Sequence, residues 1–165
     1  MARARDLLLG AVAGAGATWL MDLATTKVYD LEPKEVQDRE NEARGDKTAY
    51  EIAAEKLASF GNVALDEDQR KSLGNAIHWS LGISAGVLFG ALRPHFRTPG
   101  SGVLYGLAFW LLADEVALTA LGLTAPPQEF PWQTHVRGVI GHVVLGAAIE
   151  SAFLATEAME GALEG

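Results

Sequence analysis

The sequence has no cysteine. That absence rules out a disulfide framework, a thiolate metal site and a cysteine nucleophile. Positive charge is also scarce: 13 Lys and Arg stand against 21 Asp and Glu, for a formal net charge of −8. A chain this acidic lacks the basic surface that phosphate backbones need, so no nucleic-acid partner is expected. No strand precedes Gly14-x-Gly16, so that pair is not a dinucleotide fingerprint. Ser80 and Ser84 lie near His78, but no oxyanion hole accompanies them. No catalytic residues are assigned, and a non-catalytic role is favoured over an enzymatic one.

What the chain does have is apolar length. Hydrophobic residues make up 49% of it, and most of the acids fall between Asp30 and Asp68 or after Glu157. Four apolar runs remain, at residues 7–29, 73–92, 102–121 and 136–156. Each is about 20 residues, enough to cross a hydrocarbon core of about 30 Å. The expectation is an all-α, four-span transmembrane helical bundle forming a single membrane domain, with the lipid bilayer as its first partner. A soluble four-helix bundle is the less favoured alternative, because the runs hold few charges and many glycines. Residues 1–9 look like a signal peptide, but the apolar run continues past signal-peptide length, so a retained helix is expected.

Residues 30–71 differ in kind: polar, acidic and punctuated. Pro33 suits a first helical turn that Gly45 ends. Thr48-x-x-Glu51 reads as a capping box, Gly61-Asn62 as a stop, and Asp66-x-x-Gln69 as the next start. The segment is expected to form a short amphipathic helical insertion, an acidic cap over the bundle mouth or on the membrane surface, and a place for a protein partner. The acidic tail after Glu157 is expected to fray. Arg3, Arg5, Arg93 and Arg97 fall at the N-terminus and in the short second loop. The positive-inside rule puts that side in the cytoplasm, with both termini, and leaves the cap extracytoplasmic.

The spans repeat. Gly10-x3-Gly14-x7-Asp22 matches Gly102-x3-Gly106-x7-Asp114, and Gly74-x3-His78-x2-Leu81-Gly82 matches Gly138-x3-His142-x2-Leu145-Gly146. Two similar helical hairpins, related by duplication, are the natural reading. A rise of about 1.5 Å per residue then sets Asp22, Asp114, His78 and His142 in one layer. Glu150 falls two turns deeper on the His142 stripe, and Glu115 points about 100° away from Asp114. Ionisable groups inside hydrocarbon are costly and mark function by default. His78, His142, Asp22 and Asp114 form a candidate site for a divalent transition metal. The same four with Glu150 and Glu115 make a candidate proton relay. The function reading is therefore proton or divalent-metal handling. Two alternatives stand beside it: an accessory module whose buried Asp–His pairs only lock the bundle, and a bis-histidine haem protein with His78 and His142 as axial ligands. His95 and His135 read as solvated, and Trp19, Trp79 and Trp110 as packing or lipid contacts. The glycine stripes also suit a homo-oligomer contact.

The last two spans carry a further pattern: Gly122-Leu-Thr-Ala-Pro126-Pro127-x3-Pro131-Trp132, then Gly141-His142, then Ile149-Glu150. This resembles the YagU-like family of small bacterial inner-membrane proteins of unknown function. The stretch from Ile77-His78 to Pro94 is similar more loosely, while residues 30–71 and the tail depart from the pattern. The resemblance implies a multi-helix protein of the bacterial inner (plasma) membrane and no defined activity.

Overall fold

The computed structural model describes residues 4–96 and 98–164, so Arg3 and Arg97, used above for orientation, lie outside the described residues. The described residues are mostly helical and contain no strand. Helix α1 (Ala4–Leu31) leads into the short helices α2 (Lys34–Arg44) and α3 (Ala49–Phe60), then the long α4 (Glu67–Leu92). Next come α5 (Ser101–Trp110), a π-helical stretch (Leu111–Ala117), the turn α6 (Leu118–Ala120) and the long α7 (Trp132–Glu164).

Four segments are long and apolar enough to cross a membrane: Ala4–Leu31, Glu67–Leu92, Ser101–Ala120 and Trp132–Leu163. Their outer faces agree. Leu8, Val12, Trp19 and Leu23 on α1, and Leu104, Leu111 and Leu112 on the third span, are exposed. Such a girdle is stable when lipid rather than water covers it. The tail expected to fray is instead helical. Glu157 pairs with Arg93 at 2.9 Å, and Glu160 with Arg5 at 2.7 Å. Those pairs also bring both ends of the described chain to the same end of the bundle, away from α2 and α3.

Glycine sets the packing within each hairpin. A Cβ on Gly86 would run into Gly10 O and the Gly14 backbone, and one on Gly146 would run into Gly102 O. Thr18 lies fully buried against Gly82, its hydroxyl donating to Gly14 O four residues back at 2.8 Å. The stripes expected to be free for a second copy are thus consumed inside the chain. The exception is Gly16, which faces open space. Helix α1 also packs closely along α7. The pair that a twofold would relate to it, α4 with α5, meets through aromatic side chains: Phe89 and Tyr105 have centroids 5.2 Å apart, and Tyr105 Oη donates to Ala85 O at 2.6 Å. Phe89, Phe153, Leu145 and Ile149 fill this half of the bundle.

The cap follows its local signals. Gly45 ends α2 at φ 70°, a backbone state that suits glycine. Thr48 opens α3 with both bonds of a capping box, and Asp66 opens α4 in the same way. Glu51 accepts from the Thr48 N–H at 2.8 Å. That bond holds its carboxyl below the usual range against the opposing effect of burial, with the Thr48 hydroxyl and Arg70 adding to the same direction. A depressed folded value means the contribution is present above the unfolded value of about 4.3 and is lost as pH falls through the folded one. Glu51→Gln is therefore expected to melt below the parent near neutral pH and to converge with it on acidification. Thermal unfolding in detergent across that range checks this.

Candidate site: a capped cavity lined by acid–imidazole pairs

On the cap side of the aromatic core the bundle opens into a cavity of about 370 Å³. Helix α1 brings Asp22, α4 brings His78, the π-helical stretch brings Asp114 and Glu115, and α7 brings His135 and His142. The cap closes it from above with Glu40, Arg44 and Tyr50.

The four residues expected to share one layer do line this one space, as two pairs. His78 Nε2 lies 2.9 Å from Asp22 Oδ1. His142 Nε2 lies 3.6 Å from Asp114 Oδ2, while its Nδ1–H donates to Gly138 O at 3.0 Å. That second bond fixes the ring and leaves Nε2 aimed at the carboxylate. Among the described residues no three His, Asp or Glu side chains gather closely enough to hold one metal ion. The quartet His78, His142, Asp22 and Asp114 is thus divided between two hairpins and does not form a single coordination sphere. Both Nε2 atoms face carboxylates.

The two pairs differ because the hairpins are out of register. Gly14 meets Gly82 and Gly86 across the first hairpin, but its counterpart Gly106 meets His142 and Gly146, one turn displaced from the matching positions. The second histidine therefore sits one turn, about 5.4 Å, further from its aspartate. The π-helical winding of Leu111–Ala117 takes more residues per turn at less rise, which draws Asp114 back toward it.

Two sequence expectations need correction. Glu150 is buried, but it faces the start of α5 rather than the cavity. Its carboxylate accepts from Gly100 N and Gly102 N at 3.1 Å and from the Ser101 hydroxyl at 2.9 Å. It caps the start of α5 and is not among the residues that line the cavity. His135 is not free at the surface but half-buried and paired. Its Nδ1 lies 2.7 Å from Glu115 Oε1 and its Nε2 3.0 Å from Pro127 O. Glu115, which points away from Asp114 around the helix, thereby forms a third acid–imidazole pair on the same cavity.

Sequence reading missed the cap lock. Arg137 reaches Glu32 at 2.6 Å, pairs with the fully buried Glu40, and lies 4.9 Å over the Tyr29 ring. Glu40 also takes a hydrogen bond from Thr134 at 2.9 Å and an ion pair from Arg44. The signal was present: an arginine inside an apolar window needs a counter-charge, and the acidic insertion is the nearest supply. Tyr50 was missed as well. Its ring lies 5.0 Å from that of His78. Burial, with the carboxylates of Asp114 and Asp22 adding, raises its phenol far above the ordinary value, so it stays neutral.

Four apolar helices around a capped, polar cavity define an integral membrane protein of the helical-bundle class. A family model matches residues 52–151, and the chain belongs to that family, described as a protein of unknown function (DUF1440). No curated protein and no solved structure matches the chain.

Proposed function

We propose that this protein takes up and releases protons at its Asp22–His78 and Asp114–His142 pairs, with Glu115–His135 as a third station. The supporting observation is that all three pairs line one cavity inside the bundle. A pair that only locks helices needs no void beside it. Here each carboxylate and imidazole has space for water, the medium through which protons exchange. The Asp22–His78 pair also lines an outer groove of about 490 Å³ beside Gly74 and Asn75, an access route from the cap side. Below the histidines, Leu145, Tyr105, Phe89 and Phe153 fill the bundle. The reading is therefore a proton-responsive site open toward the cap, and passage to the other side requires that core to move. The YagU-like resemblance and the positive-inside pattern support an inner (plasma) membrane location, with both termini cytoplasmic and the cap extracytoplasmic.

Infrared difference spectroscopy on the purified protein tests this. Carboxyl bands are expected to titrate with pH and to lose one component each in Asp22→Asn and Asp114→Asn. In proteoliposomes, His78→Ala and His142→Ala are expected to change the proton leak, and metal analysis is expected to find no stoichiometric divalent ion. Pairs that never titrate, with leak unchanged in both variants, would leave the accessory-module reading in place.

A further inference from the structure

The charge around the cavity is set by its three acid–imidazole pairs. Arg44 and Arg137 are matched by Glu32 and Glu40, with which they are ion-paired. Tyr50 is neutral. That leaves Asp22, Asp114 and Glu115, each facing an imidazole. With all three pairs deprotonated the space carries three carboxylates unmatched by a cation, and positive charge must enter to match them. Protons are one source.

The walls point to a second source. Trp110 from α5 and Tyr50 from α3 line the same space as the carboxylates, and Phe130 closes it from the loop before α7. Aromatic faces beside carboxylates attract cations of low charge density, which keep little hydration when they bind. Inorganic divalent ions need gathered oxygen or nitrogen ligands, and no such group is present among the described residues. The volume of about 370 Å³ is within the range of small-molecule sites.

We propose that the cavity binds a small organic cation of the alkylammonium class, seated against Tyr50 and Trp110 and facing Asp22 and Asp114, in exchange for protons held by the acid–imidazole pairs. This rests on the proton reading above and names what the protons exchange with. The outer groove shared by Asp22, Tyr50 and His78 gives the cation its way in.

Calorimetric titration of the full chain in detergent with tetramethylammonium tests it, with tert-butanol as a neutral probe of similar shape. Saturable binding of tetramethylammonium alone is expected, tightening as pH rises and releasing protons into a weakly buffered solution. Trp110→Leu is expected to weaken it about tenfold or more, and Asp114→Asn to weaken it and reduce proton release. Both variants are to be checked for an unchanged helical spectrum. Equal binding of tert-butanol, or no binding of tetramethylammonium at any pH, overturns the cation site even if the carboxyl bands still titrate. Binding that ignores pH and releases no proton overturns the exchange, and counts against the proton reading rather than the cavity. The probe comparison uses the unmodified protein, so a variant that misfolds does not decide the outcome.

Discussion

Arg137→Met is expected to be the most damaging single change at the cap, lowering stability by about 3–5 kcal/mol. Two facts set that size. Arg137 holds Glu32 and Glu40 together, and Glu40 has no exposed surface. Without the guanidinium, Glu40 keeps only Arg44 and the Thr134 hydroxyl, Glu32 loses its ion pair, and the cap loses its charged links to α7. A charge left in a dry site is more harmful than a missing ion pair, because its desolvation is no longer offset. Adding Glu32→Gln and Glu40→Met removes both carboxylates that Arg137 held, so the combined variant is expected to regain much of the loss. Thermal unfolding by circular dichroism in detergent measures both. A single variant within about 0.5 kcal/mol of the parent would show that the cluster is solvated and contributes little.

Gly86→Leu is expected to separate the first hairpin, while Gly16→Leu on the partner helix has almost no effect. At Gly86 even a methyl group meets backbone atoms of Gly10 and Gly14, which cannot rotate aside as a side chain would. Helices α1 and α4 must then move apart, and Thr18 and Ala85 lose their packing. Overpacking of this kind costs about 1–3 kcal/mol and more where backbone is the obstacle. Gly16 has nothing within reach of its Cβ position, so leucine there projects outward and tests lipid exposure directly. The readout is the fraction of monodisperse protein together with its melting temperature. Equal damage at both positions would mean that Gly16 also faces a neighbour, a second copy being the first to seek.

The helices, the four spans and both capping boxes could be read from the sequence because they are local. Thr48-x-x-Glu51 and Asp66-x-x-Gln69 contain both halves of their own bonds. The Asp22–His78 and Asp114–His142 groupings were legible for a related reason: hydrophobic spans leave few polar residues to pair, and their spacing repeats. What sequence could not supply depends on contacts between distant segments. Glu150 looked like a relay station because its partners, Gly100 to Gly102, lie about fifty residues away. The π-helical winding at Asp114 carries no proline or glycine to announce it. The one-turn slip between hairpins is a matter of which glycine meets which, and equal spacing in sequence conceals it.

By sequence the insertion belongs to the first hairpin, yet much of its grip falls on the second. Glu32 and Glu40 hold Arg137 of α7, and Lys56 donates to the carbonyls of Leu121 and Gly122 at 2.7 and 3.0 Å, just beyond the third span. The roof over the cavity is therefore also a crossbrace between two halves that otherwise share α1 against α7 and a few aromatic rings. Any motion that lifts it to admit a solute also loosens the joint between the halves, so access at one face and rearrangement in the middle of the membrane are mechanically tied.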